Sequence, residues 1–291
     1  RKGAFMVSEK LFGMKFQPVE GLDVYHPEVE TFEVLDADGS HLALFYTDYF
    51  PRATKRAGAW MTNIVDASNI DGENQRPIIV NVGNFTRPTG DIPSLLTIDE
   101  TRTLFHELGH ALHGFLTQTK YPSVSGTSVA RDFVELPSQI MENFLPKKEF
   151  LATFAFHYET GETIPAEMLQ KVNDARNFKV GYNCIRQVSL GLIDQAWHNI
   201  SKPFEGDVMD YEHAATAAIR LLPVVPEAGI TPQFSHIMTG GYSAGYYSYK
   251  WAEMLDADAF ALFKENGVFS TKVAQSFRDN ILARGNSEHP K

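Results

Sequence analysis

The sequence has one cysteine, Cys184, in 291 residues. A lone thiol cannot close an internal disulfide, which fits a reducing compartment and makes the cytoplasm the expected location. No run of about 20 apolar residues occurs, so a membrane-spanning helix is not expected. Basic residues are in the minority: 26 Lys and Arg against 36 Asp and Glu leave a formal charge of −10 and a pI of about 5.5. That balance argues against nucleic acid and anionic membranes as main partners. Internal repeats and low-complexity tracts are absent. There is no initial Met and no charged-then-apolar leader. The first residues, RKGAFMVSEKLFGMKF, read as an amphipathic helix already inside a domain. What is present is core-forming: 43% of residues are hydrophobic and 12% aromatic, enough to exclude wholesale disorder.

The patterning predicts an α+β chain, mostly helical, with a small sheet early. Residues 31–50 hold two strand-like runs around Asp36–Ser40, whose Asp and Gly suit a hairpin turn. A further strand is expected over Arg76–Val82, with Gly58–Asn63 as a neighbour, and Asn84–Ser94 reads as loop. From Thr97 the period becomes helical. Thr97 and Glu100 form a capping box, and Leu104, Phe105, Leu108, Ala111, Leu112 and Phe115 follow at helical spacing. Further helices are expected near 129–144, 147–158, 166–178, 184–199, 208–222, 242–263 and 270–283.

The sharpest motif is His106-Glu107-Leu108-Gly109-His110. On a helix, positions i and i+4 share a face. Two imidazoles there can grip one Zn²⁺, and the glutamate beside the first can take a proton from water polarised by the ion. Zinc needs a third protein ligand and leaves its fourth position for water. The extended histidine motif of metzincins is excluded, because His113 and Leu116 stand where it requires Gly and His. His113 shares the helix face, but positions i, i+4 and i+7 spread over about 10 Å of rise, too far to converge. It is expected beside the ligands, facing substrate, or on the surface. The better third ligand is Glu135, 25 residues after His110 and suited to a second, crossing helix. Asp132, Glu135 and Glu142 sit among apolar residues, where a carboxylate is costly unless paired or metal-bound. Asp132 or Glu142 could orient a ligating histidine through its other ring nitrogen.

Residues 234–253 read FSHIMTGGYSAGYYSYKWAE. The glycines permit a loop that bends, making Gly240–Gly245 a candidate hinge. Phenols can stabilise a developing oxyanion. Tyr247 and Trp251 are expected to pack into the core.

HELGHALHG, SGTSVARDFVELPSQIMENF and FSHIMTGGYSAGYYSYKWAEMLDADAF closely resemble the thimet oligopeptidase family of zinc peptidases, which includes oligopeptidase A and peptidyl-dipeptidase Dcp. VYHPEVETFEV, FYTDYFPRATKRAGAWMTN and NFTRPTGDIPSLLTIDETRTLFHE resemble the same family. The resemblance implies one zinc ion held by His106, His110 and Glu135, with Glu107 as the catalytic glutamate. It also matches His236, Tyr242, Tyr246 and Tyr249 to the family's transition-state histidine and tyrosines. Tyr246, Gly240, Gly241 and His113 are expected near substrate. Family members are usually more than twice this length. Residues 1–291 are therefore expected to be a catalytic region, with the sheet in 1–90 and a helical, zinc-binding part in 91–291. The opposite wall of the substrate channel is expected on a separate N-terminal helical half.

The function expected is hydrolysis of short peptides, by internal cleavage or by release of C-terminal dipeptides. A catalytically silent peptide-binding fragment is the competing class. A structural zinc domain is disfavoured, because such sites usually close the tetrahedron with Cys and His.

Overall fold

The computed structural model describes residues 1–290. Helix α1, Lys2–Phe12, stops at Gly13, whose φ of 73° is the left-handed conformation that ends helices. Strands β1 (Lys15–Pro18), β2 (Glu30–Leu35) and β3 (His41–Asp48) then form an antiparallel meander. The β2–β3 turn is built on Asp36, which accepts from the Ala37 amide at 2.8 Å, and on Gly39 at φ 85°.

The chain next lays down β4 (Trp60–Val65), a small hairpin of β5 (Ser68–Ile70) and β6 (Glu73–Gln75), and β7 (Ile78–Val82). β7 inserts between β3, parallel to it, and β4, antiparallel to it. The five-stranded order is β1-β2-β3-β7-β4, which leaves β4 at an open edge. Of the two stretches that the sequence offers as an edge for a bound peptide, Asn81–Phe85 begins on the interior strand β7, whereas Ala59–Asn63 runs into the edge strand β4.

Helix α2, Ile98–Leu116, crosses one face of the sheet. The capping box starts it: the Glu100 amide donates to Thr97 Oγ1 at 3.1 Å and the Thr97 amide to Glu100 Oε2 at 2.8 Å. Arg76 closes its far end, donating to the Phe115 carbonyl at 2.6 Å and to Leu42 on β3 at 2.9 Å. Gly114 allows close approach, since a Cβ there would stand 2.3 Å from Ile79 Cδ1. Phe45 and Phe115 meet edge to face at 5.1 Å inside this core, each buried ring contributing about 1.5–3 kcal/mol.

The remaining helices are α3 (Leu136–Glu142), α4 (Lys148–Leu151), α5 (Ala166–Asn177), α6 (Val180–His198), α7 (Val208–Thr216), α8 (Ser235–Met238), α9 (Ser248–Asn266) and α10 (Thr271–Phe277). The predicted helix over 129–144 is broken. A 3₁₀ turn covers Arg131–Phe133, and α3 starts only at Leu136, with Pro137 in its first turn where no amide is needed. The helix expected over 147–158 shrinks to α4, after which the chain turns back on itself, with Phe156 bridging antiparallel to Thr163. α9 starts at Ser248 rather than near 242, since Gly241 and Ala244 take left-handed dihedrals. Among the described residues no helix is long and apolar enough to cross a membrane.

Candidate metal centre

Helix α2 presents His106 and His110 one turn apart, their rings 4.9 Å between centroids and near perpendicular. Helix α3 crosses at Gly109, and the residue just before it, Glu135, falls between the imidazoles. Glu135 Oε2 lies 3.1 Å from His106 Nε2 and 3.3 Å from His110 Nε2. Donors about 2.0–2.2 Å from one first-row ion such as zinc, at tetrahedral angles, stand about 3.3–3.6 Å apart. The three residues therefore fit a single metal ion, and no other group of three metal-binding side chains gathers this way among the described residues.

Two of the three donors are held by neighbouring side chains, whereas His110 Nδ1 is buried without a partner. His106 Nδ1 faces Glu142 Oε1 at 2.7 Å. Ser138 Oγ donates to Glu135 Oε2 at 2.9 Å, and the Tyr242 hydroxyl donates to Glu135 Oε1. Burial alone would raise the pKa of Glu135, but His110 and His106 outweigh it and hold it well below the usual carboxylate range. Burial also opposes protonation of His106, yet Glu135 and Glu142 raise its pKa well above the usual imidazole value. With two carboxylates facing one imidazole, the site favours a cation.

Glu107 is buried, and its Oε2 has no hydrogen-bond partner. Burial pushes its pKa up, the direction that suits a proton acceptor. Across the cleft, Tyr242 and Tyr249 stack at 5.2 Å, and His236 stands 6.1 Å from Tyr242. Burial and then the Glu135 charge raise both phenol pKa values, so both remain neutral donors. Arg131 lies over the Tyr242 ring at 4.9 Å.

These groups line one cleft of about 920 Å³, together with Gly240 and the stretch Arg56–Thr62 that leads into β4. Sequence reasoning did not single out Ser138 or Arg131, whereas Gly58–Asn63 was read as a strand. Only Ser138 carried a local signal, three residues after Glu135.

The structure departs from several expectations. His113 does not reach the cleft. It is fully enclosed with neither ring nitrogen partnered, and burial lowers its pKa to about 3. Tyr246 turns inward onto Phe234 at 4.9 Å and does not line the cleft, nor does Gly241. Asp132 orients neither histidine; it accepts from the Tyr247 hydroxyl at 2.8 Å. Tyr247 and Trp251, expected in the core, are about half exposed.

Comparison with known proteins gives this geometry a lineage. The family model of peptidase family M3 matches residues 1–291. The chain belongs to peptidase family M3. It is 41% identical over 289 residues to dipeptidyl carboxypeptidases of Salmonella typhimurium and Escherichia coli, covering 99% of this chain and 42% of theirs. It is 43% identical over 291 residues to oligopeptidase A of Escherichia coli, covering 99% of this chain and 43% of that protein. The M3 chain thus spans less than half the length of the curated relatives it matches.

Proposed function

We propose that this chain is the catalytic region of a zinc peptidase that hydrolyses short peptides. One observation carries the reading: an unpartnered, buried carboxylate, Glu107, beside a three-donor site in a single open cleft. His106, His110 and Glu135 would hold the zinc ion, with Glu142 and Ser138 fixing the orientation of two of them. The bound ion supplies Lewis acidity to the scissile carbonyl and to water. Glu107 Oε2 takes the proton of the attacking water and passes it to the leaving amine nitrogen. The hydroxyl of Tyr249, or that of Tyr242 once it leaves Glu135 Oε1, donates with the His236 ring to the developing oxyanion, and removing one such donor typically lowers turnover by about 10²–10³.

The open edge of β4 offers main-chain groups to an extended peptide, which binds there as an added strand. The relatives are named dipeptidyl carboxypeptidase and oligopeptidase A, and both dipeptide release and internal cleavage fall within this reading. The rest of a longer polypeptide supplies the opposite wall of the cleft. The single, unpaired Cys184 accords with action in the cytoplasm.

The test is turnover of a short, internally quenched peptide by the zinc-loaded protein, with products mapped by mass and Glu107→Gln in parallel. Cleavage lost in Glu107→Gln is the expected result. Bound zinc with no cleavage in either protein supports the silent peptide-binding fragment instead.

A further inference from the structure

Asp194 lies on α6, outside the cleft, and its side chain is fully buried. A carboxylate is taken out of water at such cost that its oxygens must find donors. Asp194 Oδ1 accepts from the Ala244 amide at 2.8 Å, and Oδ2 from the Tyr246 amide at 2.8 Å. His198 Nδ1, one turn along α6, stands 2.7 Å from Oδ1. The next residue, Gln195, donates from Nε2 to the Ala244 carbonyl at 2.9 Å. Both main-chain groups of Ala244 are therefore held by α6. Ala244 has φ 55°, a left-handed conformation that costs an alanine roughly 1–2 kcal/mol. Such a conformation persists only where its surroundings over-determine it.

Ala244 stands between Tyr242, whose hydroxyl reaches Glu135, and Tyr249, which stacks on Tyr242. We propose that Asp194, with Gln195, is a positioning residue that clamps the 242–249 loop and so sets where the two phenols point. The inference rests on the peptidase reading for its kinetic part only. Nothing in Asp194 touches the cleft, so it acts through the tyrosines.

In Asp194→Asn one amide loses its acceptor and meets an NH₂ instead. Misplacement of a catalytic group by about 1 Å costs up to roughly 10²-fold. Two measurements on the zinc-loaded protein test the proposal. Backbone amide exchange at Ala244 and Tyr246 should accelerate at least about tenfold in Asp194→Asn, while amides of α2 keep their protection. On the short peptide, kcat should fall roughly 10–100-fold with KM changed less than about threefold. That loss should largely vanish when Asp194→Asn is placed on Tyr242→Phe plus Tyr249→Phe, since coupled groups are non-additive. Gln195→Ala, which leaves the buried charge in place, should show a weaker form of both effects. Unchanged exchange at the loop overturns the clamp. Changed exchange with a kinetic loss that is fully additive to the tyrosine losses overturns the positioning role. Absence of turnover in the unmodified protein strikes the peptidase reading alone, and the exchange result still decides the clamp.

Discussion

Replacing Gly109 by alanine should displace the third metal donor. Gly109 lies between the two histidines where α3 crosses α2. An added Cβ would stand 2.1 Å from the Pro137 carbonyl oxygen and 2.5 Å from the Ser138 Cα. Both obstacles are backbone, so no side chain can swing aside. Restoring ordinary contact requires the helices to part by roughly 1–1.5 Å. Overpacking of this kind costs about 3 kcal/mol, and the better helix propensity of alanine offsets about 1 kcal/mol. The net loss of about 2 kcal/mol corresponds to a melting point lower by roughly 4–8 °C. The same movement carries Glu135 off the imidazoles by about half the length of a metal–ligand bond, so zinc affinity should fall at least about tenfold. Thermal melts with and without zinc, and zinc titration against a competing chelator, measure both effects. Gly191→Ala is the control. It lies in α6, where a Cβ meets nothing within 4 Å, and should be neutral or stabilising by about 0.4–1 kcal/mol. If Gly109→Ala melts and binds zinc like Gly191→Ala, the close crossing is not what positions Glu135.

Glu142→Ala removes the partner of His106 Nδ1 and should weaken zinc binding about 10–100-fold, read by the same titration. Asp256, against Asn143 at 2.6 Å, has its pKa pushed by burial up to about 7. The folded state holds that proton more tightly than the unfolded chain, so this group makes stability fall as pH rises from about 4 to about 7. Asp256→Asn should flatten that part of the urea-denaturation profile and raise stability at pH 8. Asp48 behaves oppositely. Burial opposes its charge, but hydrogen bonds from Arg52, Lys55 and Tyr25 draw its pKa down to about 2. Its contribution is complete above the unfolded pKa and is lost as pH falls through about 2, so Lys55→Met should move the acid-unfolding midpoint to higher pH.

The α+β character and the helix bearing the HELGH motif were legible in the sequence because both rest on short-range periodicity. A capping box and an i, i+4 pair need nothing but a helix to bring them together. Contacts made across the fold were less accessible. Glu135 meets the histidines only because a broken helix restarts at Leu136 and crosses at a glycine. Tyr246 and Tyr249 are three residues apart, yet the left-handed Ala244 and the late start of α9 send one inward and leave the other in the cleft. His113 shares a helix face with His106, but a helical wheel cannot show that other segments cover that end of it. Asp194 carried only its i, i+4 spacing to His198 as a local signal, since the partners that matter are main-chain amides 50 and 52 residues away. The order of strands was hidden for a similar reason: β7, later in the chain, takes the interior place and leaves β4 outside.

That strand order has a consequence for how the molecule avoids its own kind. An unpaired strand edge is a template for self-association, and proteins blunt it with charge, bulges or cover. Here the pairing of β4 with β7 slips between Asn63 and Val65, and the approach to β4 is flanked by Arg56. The exposed hydrogen-bonding groups open into a recess beside α2 and the tyrosine loop rather than onto a flat flank. A folded neighbour cannot present a strand into that recess without unravelling its own sheet, whereas a partly folded copy can. The hazard of aggregation therefore belongs to the period before α2 and the loop have closed around the edge.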